Sequence, residues 1–145
     1  MNSNHITYMK RCLTLARQAK ANGKPGVGSV LVKNSEIIGE GIEGSRDLPA
    51  VLAHAEILAI VNGISKIETK DLSDCTLYTT VEPCVMCSYI IRSTGIKHVV
   101  IGTTTSAVGG VTSNYPILTA QGIEKWKTPP TVTTGVMEQE CKEAL

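Results

Sequence analysis

The sequence predicts an α/β domain: a three-layer α/β/α sandwich around a five-stranded mixed sheet. Three observations lead there. Segments with helical and strand periodicity alternate along the whole chain. Two early strand-like runs are joined only by Asn34-Ser35, which makes them an antiparallel hairpin. The later strands are separated by helical segments, and strand-helix-strand units need crossovers that favour parallel neighbours.

Each element has its own signal. Residues 6–21 read as an amphipathic helix, with Met9, Cys12, Leu13, Ala16 and Ala19 at three- and four-residue steps. Asn22-Gly23-Lys24-Pro25-Gly26 stops it, since Gly suits a helix end and Pro cannot continue one. Residues 27–33 and 36–42 form the hairpin, and the turn-rich residues 43–50 a loop. Residues 51–64 return to helical spacing. Residues 75–81, rich in Thr and Tyr, are the third strand. Pro83 suits a helix start, so residues 84–94 form a helix that Gly95 ends. Residues 98–101 are a short buried strand, 114–125 a helix limited by Pro116, 131–134 the last strand and 137–145 the last helix. No repeat or linker divides the chain, so residues 1–145 are expected to be one domain.

Composition narrows the function classes. A chain of 145 residues with 42% hydrophobic residues fills one core and is not disordered. The net charge of +1 gives no general footprint for nucleic acid or anionic membranes. Four Tyr, one Trp and no Phe are too few for a platform that stacks many bases. No stretch approaches the roughly 20 apolar residues of a membrane span, and residues 1–24 do not read as a targeting signal. A soluble, cytoplasmic protein is expected. Five cysteines are an odd number in a chain that needs no staples, which favours thiol, metal or catalytic roles over disulfides.

Two segments carry chemistry: His54-Ala55-Glu56 and Pro83-Cys84-Val85-Met86-Cys87, each at a helix start. Two cysteines three apart at a helix N-terminus can grip one ion, and the helix dipole and free N–H groups favour thiolates there. With His54 as third ligand the set suits tetrahedral zinc. Three protein ligands leave one position open, as in catalytic rather than structural sites. Glu56, two residues after His54, is placed to take a proton from an attacking water and pass it to a leaving amine. Alone, CxxC reads equally as a redox pair. A lone His or Glu at a helix start reads as a structural or solvated residue. Together, H-x-E followed thirty residues after the His by P-C-x-x-C is a zinc-deaminase signature. Cys12, Cys75 and Cys141 read as buried thiols, and His5 and His98 as non-catalytic.

Further marks are Val27-Gly28-Ser29-Val30-Leu31-Val32, Gly39-Glu40-Gly41, Ala53-His54-Ala55-Glu56-Ile57, Thr76-Leu77-Tyr78 and Glu82-Pro83-Cys84-Val85-Met86-Cys87. On these the chain resembles the cytidine deaminase superfamily over residues 6–110. The branch is that of tRNA adenosine deaminases, guanine deaminases and fungal-type cytosine deaminases. The resemblance implies that His54, Cys84 and Cys87 hold Zn2+ and that Glu56 shuttles the proton. It implies further that the backbone N–H groups of Ala55 and Cys84 bind substrate ring atoms and its carbonyl oxygen. The backbone carbonyl of Glu82 would accept from the departing amino group. Members of this branch are typically homodimers with sites near the subunit interface, so a homodimer is expected.

The departures bear on substrate. The branch commonly ends its second strand in an Asn that binds the base, and Glu43 stands there instead. An ionised Glu only accepts hydrogen bonds. Facing the pocket it would prefer an N–H-rich edge, such as that of guanine or an aminotriazine; facing water it would be a spectator. Ala50-Val51-Leu52-Ala53 replaces Asp-Pro-Thr-Ala and makes the wall more apolar. Thr103 to Gly110 lacks the charges that tRNA enzymes carry there, and the last eight residues are acidic rather than basic. Tyr115 and Trp126 either close the pocket or stack on a base, or else pack or make a dimer contact. The expected activity is therefore zinc-dependent hydrolytic deamination of a small free nucleobase or related amino-heterocycle (guanine, cytosine or aminotriazine-like), with tRNA not expected as a partner. The alternatives are a tRNA adenosine or nucleoside/nucleotide deaminase, for which Arg46 and Arg92 are the nominated phosphate contacts, and a non-catalytic zinc-binding module, against which Glu56 argues.

Overall fold

The computed structural model describes residues 3–126 and 128–145. The chain runs α1 (Ser3–Ala21), β1 (Gly28–Lys33), β2 (Glu36–Ile42), a 3-10 turn (Ala50–Leu52), α2 (Ala55–Ile67), β3 (Cys75–Val81), α3 (Val85–Thr94), β4 (His98–Thr103), β5 (Thr131–Thr133) and α4 (Glu138–Ala144). The strands form one sheet in the order β2-β1-β3-β4-β5. β1 is antiparallel to β2 and β3, while β3, β4 and β5 are parallel, as the connections require. Asn34 and Ser35 both take positive φ, the conformation of a two-residue hairpin turn whose twist matches its strands.

Period-two alternation sends side chains to two cores. Val30, Val32, Tyr78 and Val100 meet Met9, Leu13 and Ala16 of α1 and Cys141 of α4. Leu31, Leu77, Val99 and Ile101 meet Ala59 and Ile60 of α2 and Ile91 of α3. The three-layer α/β/α sandwich is therefore present, with α1 and α4 on one face and α2 and α3 on the other. Among the described residues no helix is long and apolar enough to cross a membrane.

Two elements differ from the sequence expectation. The helix expected over 51–64 begins only at Ala55. Ala53 leaves helical geometry, its carbonyl accepts the Gly44 N–H at 2.8 Å, and His54 is extended as the N-cap. The helix expected over 114–125 is a run of turns. The guanidinium of Arg92 takes the carbonyls of Ile117, Leu118 and Ala120 at 2.8–3.3 Å, acceptors that a helix would use internally. Gly122 turns the chain again at φ 77°.

Candidate functional site

Two helix N-termini meet at one end of the sheet. α2 packs onto β2 because Gly41 has no side chain: a Cβ there would stand 1.9 Å from the Ala55 carbonyl oxygen. This close approach sets the start of α2, and with it His54 and Glu56. α3 follows β3 after the tight Glu82-Pro83 link. Its N-cap is Cys84, whose Sγ accepts the Cys87 N–H at 3.5 Å.

The ligand atoms of His54, Cys84 and Cys87 all lie within 4.8 Å of one another. His54 Nδ1 is 3.6 Å from Cys84 Sγ and 3.5 Å from Cys87 Sγ. Zinc–sulfur bonds of about 2.3 Å and a zinc–nitrogen bond of about 2.0–2.1 Å at the tetrahedral angle put S and N roughly 3.5 Å apart. One imidazole nitrogen and two cysteine sulfurs at these separations fit zinc. The Cys84 thiol is pulled down to about 5 by the hydrogen bond from Cys87, against the opposing effect of burial. The hydrogen bond to Cys84 and burial push the Cys87 thiol up in turn. All five cysteines are free, and Cys12, Cys75 and Cys141 are buried away from this cluster in the cores.

Glu56 is 4% exposed, and its carboxyl meets the Cys87 thiol. Burial pushes its pKa up to about 8, and the negative charges of Glu43 and Cys84 add to the rise. A carboxyl that ionises near neutrality is suited to both taking and giving a proton. Glu43 points inward. Its Oε1 accepts the Ala55 N–H at 2.9 Å, half-buried at the start of α2. A substrate contact at that N–H therefore requires Glu43 to swing away. Burial also raises the Glu43 carboxyl.

The side chain of Glu82, for which the sequence suggested only a backbone role, turns away from the cluster into residues 105–112. Its carboxylate accepts the N–H groups of Thr105, Val111 and Thr112 and the Thr112 hydroxyl at 2.7–2.9 Å. Burial opposes its ionisation, but these four donors hold its pKa below the usual range. No local sequence signal marks this contact, because its partners lie 23–30 residues away.

Arg92, nominated as a phosphate contact, is instead 5% exposed and spends its donors on carbonyls, while Arg46 is exposed. Trp126 packs against Tyr89, with ring centroids 4.9 Å apart, and under Arg92. Tyr115 is 65% exposed. A cavity of about 890 Å³ against Arg92, Lys97 and Trp126 lies at the far end of α3. The site is located by its donor atoms, not by cavity size.

Residues 2–103 match the cytidine and deoxycytidylate deaminase zinc-binding region family. A tRNA-specific adenosine deaminase of Aquifex aeolicus is 36% identical over 126 residues, 85% of this chain and 83% of that protein. One from Haemophilus influenzae is 38% identical over 140 residues, 94% of this chain and 78% of that protein. Among solved structures, a tRNA:A34 deaminase, which carries out A-to-I editing at the wobble position, superposes with a TM-score of 0.87 at 29% identity. The match covers 96% of this chain and 99% of that one.

These relatives overturn two expectations: a small free nucleobase as substrate, and the exclusion of tRNA as a partner. The charge argument behind both was incomplete. Phosphates are also held by hydroxyls and backbone N–H groups, so an uncharged, threonine-rich segment is no evidence against RNA.

Proposed function

The chain belongs to the cytidine and deoxycytidylate deaminase zinc-binding family, and from that premise we propose that it deaminates adenosine in tRNA. The observation that carries this reading is the identity of 34–38% to tRNA-specific adenosine deaminases over 85–95% of the chain. The buried Glu56 beside a three-ligand zinc centre supports a catalytic rather than a purely binding role.

His54, Cys84 and Cys87 would hold the zinc, whose Lewis acidity would make water acidic enough to attack at neutral pH. Glu56 accepts the proton that this water loses and delivers it to the amino nitrogen. Oxygen is added at the amino-bearing carbon, the carbon–nitrogen bond breaks, and ammonia leaves. Adenosine becomes inosine with water as the only co-reactant. The Glu82 carbonyl is suited to accept from the departing amino group, and the Cys84 N–H to hold a ring atom. Glu43 keeps the Ala55 N–H until the base enters. Free thiols and a thiolate-bound metal suit a reducing compartment, which supports the cytoplasm as its setting.

The test is inosine formation in unfractionated tRNA by zinc-loaded protein, with Glu56→Ala as control. Inosine that appears with the native chain and not with the variant supports the reading. Its absence from every tRNA, with zinc bound, would overturn it.

A further inference from the structure

Glu82 lies next to the zinc-ligand segment but sends its carboxylate the other way. The side chain is 3% exposed, and both oxygens are used. Oε1 accepts the Thr105 N–H at 2.9 Å and the Thr112 hydroxyl at 2.7 Å. Oε2 accepts the Val111 and Thr112 N–H groups at 2.8 and 2.7 Å. Four donors from one loop thus converge on one carboxylate two residues before Cys84.

The loop is also tied to the ligand segment by its backbone. The Val85 N–H donates to the Val108 carbonyl at 3.0 Å, the Gly110 N–H donates to the Pro83 carbonyl at 2.8 Å, and Cys84 pairs with Gly109. Gly109 has a separate steric reason to be glycine: a Cβ there would stand 2.1 Å from Glu82 Oε2. The carboxylate, the glycine and the ligand backbone therefore form one packed unit. The segment that supplies Cys84 has no regular secondary structure between β3 and α3, so this loop is its lateral support.

We propose that Glu82 is a positioning residue for the zinc centre. By pinning residues 105–112, it fixes the backbone that presents Cys84 to His54 and Cys87. The proposal rests on the zinc-site reading, but zinc binding is read directly, so its failure and a failure to deaminate tRNA are distinguishable.

Glutamine at position 82 has nearly the same shape but replaces one acceptor oxygen with an NH2 that faces N–H donors. Glu82→Gln should weaken zinc about tenfold or more in chelator competition, the size expected when support behind a ligand is lost. With Co2+ in place of zinc, its visible ligand-field bands should shift or weaken as the Cys2His geometry loosens. Gly109→Ala, which alters no acceptor, should do the same by displacing Oε2. Thr112→Val, which removes one hydroxyl and is the mildest change, should weaken zinc about threefold. Leu13→Ala, a core truncation under α1, should lower Tm without altering the cobalt spectrum. If Glu82→Gln or Gly109→Ala does not fold, Thr112→Val carries the test alone. Zinc affinity within twofold of native and an unchanged cobalt spectrum in the variants that fold would overturn the proposal, and so would a Glu82→Gln variant that behaves like Leu13→Ala.

Discussion

Glu43 Oε1 accepts the N–H of Ala55 at 2.9 Å, so the side chain that caps α2 sits beside its N-cap residue His54. The first N–H groups of a helix have no partner within it, and a carboxylate there also meets the positive end of the helix dipole. Glu43→Ala should therefore destabilise the zinc-loaded protein by about 1 kcal/mol. Glu43→Asn, whose side-chain oxygen still accepts, should recover most of that loss. Urea denaturation of the three proteins checks this; equal stability of Glu43→Ala and the native chain would mean that the cap contributes nothing.

Zinc should stabilise the fold as well as serve catalysis. His54 and Cys84 are the N-caps of α2 and α3 and Cys87 lies in the first turn of α3, so an ion held by all three would bridge two helices on one face of the sheet. A ligand that binds only the folded state at 1,000 times its Kd adds about 4 kcal/mol. Chelation should lower Tm accordingly, and re-addition of zinc should restore it. His54→Ala should show the lower Tm with or without chelator. A Tm of the native chain that is indifferent to chelator would mean that the site is not loaded.

What the sequence made legible divides along physical lines. The hairpin, the parallel strands and the two cores follow from local periodicity, which Val30, Leu31 and Val32 show in three consecutive residues. That His54, Cys84 and Cys87 come together was legible because zinc chemistry restricts both residue type and spacing. The turns over 114–125 were not. They depend on Arg92, whose guanidinium takes carbonyls 25–34 residues away. The side-chain role of Glu82 was hidden for the same reason. Substrate was misjudged because net charge averages over the surface, whereas recognition depends on a few groups at the mouth.

Glu56 is buried, and the proton transfer proposed for it makes a separable prediction. Glu56→Gln should keep zinc and the fold but reduce turnover by about 10²–10⁴ or more, since proton transfer typically contributes that much. The same substitution has a pH signature in metal-stripped protein. Burial raises the folded-state pKa of Glu56 from its ordinary 4.5 to about 8. Its contribution to stability is then fully present below about 4.5 and lost as pH rises through about 8. Native protein should lose stability relative to Glu56→Gln across that window. Parallel pH profiles of the two would mean that Glu56 does not titrate there.

Arg92 and Arg11 allow a comparison of one residue type in two settings. Arg11 pairs with Glu40 on the surface, with the two side chains 42% and 35% exposed. Such pairs contribute under about 1 kcal/mol because water screens them and two long side chains must be ordered. Arg92 is buried, donates to the carbonyls of Ile117, Leu118, Ala120 and Trp126, and lies 5.3 Å from the Trp126 ring centroid. Its removal leaves several carbonyls short of a donor, at about 1–3 kcal/mol for each that water does not reach. Arg11→Ala should thus shift the urea midpoint little, and Arg92→Ala should destabilise by at least about 3 kcal/mol. Trp126 is the sole tryptophan of the chain, so its fluorescence reports on this loop alone. A red shift in Arg92→Ala before global unfolding, absent in Arg11→Ala, is the expected result. If the emission and the midpoint match in the two variants, Arg92 does not hold the turns that replace the expected helix.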